Sequence, residues 1–168
     1  LSWATLGSET ASDDEEFSVN LTGMFAGEKD WPVAFNQDVS TWDLRHAESI
    51  AYMFSSNDAF NNGCTSGATD CPLAWGPIGT DIGTADGSIA QGVFETKEDW
   101  PTVFNQSLAT WDVSNVMYMN AFAWRAPKFD QDLSDWCSPI KSIPYLFVDG
   151  TPMKDETERH PRWGCSDD

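Results

Sequence analysis

Cysteines, histidines, carboxylates and tryptophans are the side chains here that could do chemistry. The four cysteines are Cys64, Cys71, Cys137 and Cys165. Zinc sites usually pair their thiolates as Cys-x-x-Cys, and that spacing is absent. An even count without it points to two disulfides. The most local of the three possible pairings joins Cys64 to Cys71 and Cys137 to Cys165. Such bridges imply an oxidising compartment, extracellular or lumenal.

Nucleophilic catalysis has little to draw on. His46 and His160 are the only histidines, and neither sits in a recognisable Ser or Cys motif. Gly76, Gly79, Gly83 and Gly87 lack the lysine of a phosphate-binding loop. A calcium site needs several oxygens converging on one point. Asp13-Asp14-Glu15-Glu16 has no glycine-punctuated loop spacing, and a whole repeat separates Asp43 from Asp112. The reading is no enzyme, no metal site and no cofactor.

Nine Lys and Arg against 27 Asp and Glu leave a net charge of −18. That disfavours nucleic acid and anionic membrane surfaces as partners held by charge, and no nucleic acid is expected. No apolar run approaches membrane-spanning length. No basic segment followed by an apolar one opens the chain, so any signal segment is expected to be absent from it.

The elements that must carry these residues are set by repetition. Phe35-Asn36-Gln37-Asp38-Val39-Ser40-Thr41-Trp42-Asp43-Leu44 recurs as Phe104-Asn105-Gln106-Ser107-Leu108-Ala109-Thr110-Trp111-Asp112-Val113. A third copy, Phe129 to Trp136, begins 25 residues after Phe104. Residues 23–44 also map onto 92–113 with a constant shift of 69. Fixed short periods mean a stacked array, because one unit cannot bury its apolar face alone. Leu108, Trp111 and Val113 suggest a short strand, and the spacing of three in Val116, Met119 and Phe122 suggests a helical turn. The expected fold is a mixed α/β solenoid of about four to five coils.

It is expected to be one domain. Residues 1–34 form a degenerate first coil and connector, in which Leu1-Ser2-Trp3 echoes the Leu-Ser-x-Trp of the third copy. Coils follow at 35–59, 60–103, 104–128 and 129–150, with a C-terminal cap at 151–168. The coil at 60–103 carries an insertion pinned by Cys64–Cys71. The cap is tied back by Cys137–Cys165.

Position within the repeat assigns roles. Trp42, Trp111 and Trp136 share one place and read as a stacked internal rung. Asn36, Asn61 and Asn105, with Asp130 in the fourth copy, read as a ladder of side chains satisfying backbone groups at a bend. Trp31 and Trp100 precede prolines in matching connectors and are the expected exposed aromatics. Asn20-Leu21-Thr22 and Asn105-Gln106-Ser107 are both glycosylation sequons. The ladder role of Asn105 leaves Asn20 as the candidate acceptor.

The run Phe-Asn-Gln-Asp-x-Ser-x-Trp-Asp, continuing into Met and Phe positions, resembles the repeat of the BspA-type leucine-rich-repeat surface proteins. It survives here as Phe35 to Phe54 and Phe104 to Phe122. The resemblance implies a leucine-rich-repeat-like architecture and a surface or secreted protein with adhesion or protein-binding roles. The expected function is a non-catalytic protein-binding or structural domain. Two alternatives accompany it: an extrinsic subunit stabilising a larger membrane complex, and a carbohydrate-binding module using Trp31 and Trp100. The expected partners are proteins, including subunits of a larger assembly.

Overall fold

The computed structural model describes residues 18–27, 33–82, 87–97 and 101–165. Among them are six short strands: β1 (Val19–Asn20), β2 (Ala47–Ser49), β3 (Ser88–Ile89), β4 (Val116–Tyr118), β5 (Cys137–Ser138) and β6 (Arg162–Trp163). β1 to β4 form one parallel sheet in chain order, and β5 pairs in parallel with β6. Strand order that follows chain order lays each repeat directly on the one before.

The expected helical turns are absent. No α-helix occurs among the described residues, and the single 3₁₀ segment, Thr157–Arg159, lies beyond the repeats. The mixed α/β solenoid is therefore incorrect, and the chain is a stack of short parallel strands and β-turns. Donor alternation is the reason. Tyr52, Phe54 and Ser56 donate their N–H groups to Gln91, Val93 and Glu95 in the next repeat, at 2.8, 3.0 and 2.8 Å. The residues between them, Met53, Ser55 and Asn57, donate back to Ile50, Tyr52 and Phe54. A helix uses every N–H within itself and has none left for a neighbour. An i to i+3 turn gives the same apolar spacing of three as a 3₁₀ helix, so the sequence pattern did not separate them.

These turns require left-handed backbone at one recurring place. Gly23 and Gly92 occupy it with φ of 65° and 60°, but so do Tyr52 at 56° and Ala121 at 54°. Non-glycine residues pay roughly 1 kcal/mol there, and the bonds between repeats hold them in place. The strand expected around Trp111 to Val113 is reduced to a single bridge between Asp112 and Pro77. Regular pairing falls instead at Val116–Tyr118, where the helical turn was expected.

Two aromatic columns run through the stack. In one, Phe25 and Phe35, Phe54 and Phe60, and Phe94 and Phe104 stack as parallel pairs at 3.7, 3.6 and 4.1 Å. In the other, Trp75, Trp111 and Trp136 stack at 5.0 and 5.6 Å. Each indole N–H donates to a carbonyl of the preceding repeat: Trp75 to Val39, Trp111 to Leu73 and Trp136 to Leu108. Trp42, expected in the same rung, is buried, and its ring lies 6.0 Å from that of Phe25. Trp75 is a full member: it is the matching tryptophan of the repeat that opens at Phe60, delayed in sequence by the insertion.

Candidate functional site

The polar ladder is continuous. Asn36 Oδ1 accepts the backbone N–H of Asn61, Asn61 Oδ1 that of Asn105, and Asn105 Oδ1 that of Asp130, at 2.8, 3.3 and 2.9 Å. Asp130 meets Arg159 of the tail at 2.7 Å instead of another repeat. Gln106, fully buried, ties the insertion to this ladder. Its amide donates to Asn61 Oδ1, and its carbonyl accepts the Cys71 N–H. Asn62 adds a further anchor by donating to the Cys71 and Pro72 carbonyls. Neither residue stands out in the sequence, since each is an ordinary amide within a repeat.

Among the described residues, these carboxylates do not converge. Asp38, Asp43, Asp112 and Asp132 each accept the N–H two residues on, from Ser40, Arg45, Ser114 and Ser134. Each acid therefore closes its own bend. Hydrogen bonds from Ser40 and Ser134 hold Asp38 and Asp132 below the usual carboxylate range, and Arg45 does the same for Asp43. Glu95 is the opposite case. Its half-burial raises its pKa, against a hydrogen bond from Ser55.

Both disulfides, Cys64–Cys71 and Cys137–Cys165, are formed, with Cα separations of 6.1 and 5.6 Å. The Cys64, Asp70 and Cys71 ligand atoms lie within 4.8 Å of one another. The bridge consumes both thiolates, so this donor set does not fit a metal. Cys137–Cys165 joins β5 to the residues just past β6. Leu133 and Arg162 donate to Arg159 and Trp136 across the same junction. His160 is buried there, with Nε2 against the Met153 carbonyl at 2.9 Å.

Asn20 is exposed on β1, and its Oδ1 accepts the Thr22 N–H. Asn105 is half-buried in the ladder. Trp42, Trp111 and Trp136 are buried at 8, 4 and 2% exposure. Trp31 and Trp100 lie outside the described residues, as do Leu1 to Phe17.

Most of the exposed large apolar side chains among the described residues lie elsewhere. Met117, Tyr118, Ile143 and Tyr145 are 41, 52, 52 and 75% exposed, and they line one shallow groove of about 290 Å³ beside β4. Ile143 continues the apolar spacing that runs through Leu133, Trp136, Ile140 and Phe147, yet it is on this surface, because the chain leaves the stack between Ile140 and Tyr145. It rejoins where the Ala121 N–H reaches the Tyr145 carbonyl at 2.9 Å. Tyr145 is also held by its own N–H, which donates to Asn120 Oδ1 at 3.1 Å. Gly87 leaves room for Met117, since a Cβ there would meet Met117 Cγ at 2.2 Å and the Asn115 carbonyl at 2.8 Å.

Residues 12–70 and 88–160 match the protein family described as "Mycoplasma protein of unknown function, DUF285". The chain belongs to that family. The match omits residues 71–87, the span from Cys71 to the start of β3. No curated protein and no solved structure matches the chain. In this DUF285 member no described helix is long and apolar enough to cross a membrane.

Proposed function

We propose that this DUF285 member is a non-catalytic, protein-binding domain of a BspA-type surface or secreted protein. The observation that carries the reading is the grouping of Met117, Tyr118, Ile143 and Tyr145 around one groove on a chain of net charge −18. Tyrosine and methionine are the side chains that interfaces favour, because they bury large area and tolerate partial exposure. Elsewhere in the described chain, large apolar side chains are mostly packed between repeats. The two disulfides support an oxidising location. The protein partner is either free or a subunit of a larger assembly.

The test is a photo-cross-linker placed at Tyr145 in the native cell, compared with a Tyr118→Ser/Tyr145→Ser variant. A single partner cross-linked from Tyr145, whose purified form binds the double variant at least about tenfold more weakly, supports the reading. Unchanged affinity in a folded double variant overturns it.

A further inference from the structure

The four-stranded sheet ends at β4. Its pairing runs as a column from Asn20 to Ser49, Ile89 and Tyr118. Among the described residues, Tyr118 has no strand on its far side. The donors beside the column stop at the same place. Leu21, Ile50 and Ala90 each follow a member of the column, and their N–H groups reach Ser49, Ile89 and Tyr118 of the next repeat at 2.7, 2.9 and 2.9 Å. Met119 is the fourth member of that series. Further along, Ala121, Ala123 and Arg125 donate onward to Tyr145, Phe147 and Asp149. Between these two sets, the Met119 N–H has no acceptor among the described residues.

The chain's own next segment does not close the gap. Ile143 and Pro144 follow Tyr118 and Met119 by 25 residues, the same step that separates Phe129 from Phe104. Ile143 is 52% exposed instead of paired, and Pro144 has no N–H with which to extend a sheet. Met119 is buried and lines the groove shared by Met117, Tyr118, Ile143 and Tyr145. A buried donor without an acceptor is costly. Beside an open strand edge, the carbonyl of an added strand supplies the missing acceptor.

We propose that the groove takes an extended segment of the protein partner as an added strand beside β4, with a carbonyl of that segment accepting the Met119 N–H. This mode of binding rests on the reading of the groove as a protein-binding site. Charge specifies the occupant further. The residues lining the groove are uncharged, in a chain of net charge −18. The segment therefore carries apolar side chains at alternate positions where it enters, and Lys or Arg on either side.

Amide exchange followed by NMR tests it in the full chain and needs no variant to fold. The probes are the peptides Lys-Lys-x-Thr-x-Thr-x-Lys-Lys, with x as Val, Ile or Phe. Peptide at about 1 mM, enough to populate even a weak complex, should slow exchange at Met119 at least about tenfold and leave Leu21, Ile50 and Ala90 unchanged. Glutamates in place of the lysines should weaken binding at least about tenfold, and equal binding of the two overturns the basic partner. Absence of protection at Met119 with every peptide overturns the added strand. A partner that cross-links at Tyr145 and loses affinity for the Tyr118→Ser/Tyr145→Ser variant, yet leaves Met119 exchange unchanged, also overturns it while the binding role of the groove stands. Protection at Met119 that grows with protein concentration alongside a dimer in sedimentation makes a second copy the occupant, and overturns it too.

Discussion

The side-chain oxygen of Asn36 accepts the backbone N–H of Asn61 at 2.8 Å, so a repeat position is held by its own counterpart 25 residues away. The same oxygen takes the Gly63 N–H at 2.9 Å, and the Asn36 amide donates to the Cys64 carbonyl at 2.7 Å. One side chain thus fixes the start of the insertion and the spacing between two repeats. Asn61 repeats the device in a fully buried setting, bonding Thr65, Ala68, Asn105 and Gln106.

Asn61→Ala therefore leaves buried groups on both neighbours without partners. The expected loss is at least about 2 kcal/mol, from roughly 1–3 kcal/mol per unsatisfied buried group. A denaturant titration measures it, and a loss under about 0.5 kcal/mol would show the ladder to be energetically idle.

Trp111 is stacked between Trp75 and Trp136 and is 4% exposed. Trp111→Ala should cost about 3–5 kcal/mol, the range for large core truncations. Trp111→Phe keeps the stack but strands the Leu73 carbonyl, and should cost distinctly less. Equal losses in the two variants would assign the stability to the indole hydrogen bond rather than to packing.

The Cys137–Cys165 bridge closes a sequence separation of 28 residues and fastens β6 to β5. Removing it in a Cys137→Ser/Cys165→Ser variant should cost about 3–4 kcal/mol on the loop-entropy estimate. Amide exchange should rise first at Arg162 and Gly164, whose N–H groups bond Trp136 and Ile140. Exchange that rises uniformly over all repeats would mean that the tail is not a separable cap.

Glu95 carries the raised carboxyl, with a folded pKa above the ordinary 4.5. The folded state then binds more protons than the unfolded state between those two values, and stability falls as pH rises through that window. Asp38, Asp43 and Asp132 act in the other sense, contributing stability that is lost as pH falls below their ordinary 3.8. Glu95→Gln keeps an acceptor for Ser55 and should remove the first dependence alone. The variant's stability relative to the parent should increase from pH 4 to neutrality. A constant difference across that range would place Glu95 in water.

Asn105 sits in a sequon, yet its side-chain oxygen is occupied by Asp130 and Gln131 of the next repeat. It should carry no glycan when the chain is secreted from a glycosylating cell, whereas exposed Asn20 is open to modification. Glycopeptide mass spectrometry decides this, and high occupancy at Asn105 would break the ladder at that step.

The repeat itself was legible from composition and spacing. Recurrence of Asn and Trp at one place in the unit pointed to the ladder and the tryptophan rung, because a side chain that must meet its own counterpart is constrained in type. The phenylalanine column was not foreseen, since its close pairs join different positions of the repeat. Trp75 was legible too, as the matching tryptophan of the repeat that opens at Phe60, delayed by the insertion. It keeps its place in the column because stacking responds to distance and not to residue count.

By itself the sequence determined that the chain stacks on itself, which residues line the interior, and which cysteines could pair locally. The tertiary structure decided what the connecting segments are. A spacing of three serves a 3₁₀ helix and a β-turn equally, and the choice depends on where alternate N–H groups find acceptors. Here the acceptors, Gln91, Val93 and Glu95 for the turn at Tyr52, lie about 40 residues away along the chain, where local periodicity carries no information. The exposed groove was decided at the same level. Ile143 has the spacing of a core residue, and it faces solvent because the chain swings out of the stack between Ile140 and Tyr145, a path set by contacts at Asn120 and Ala121.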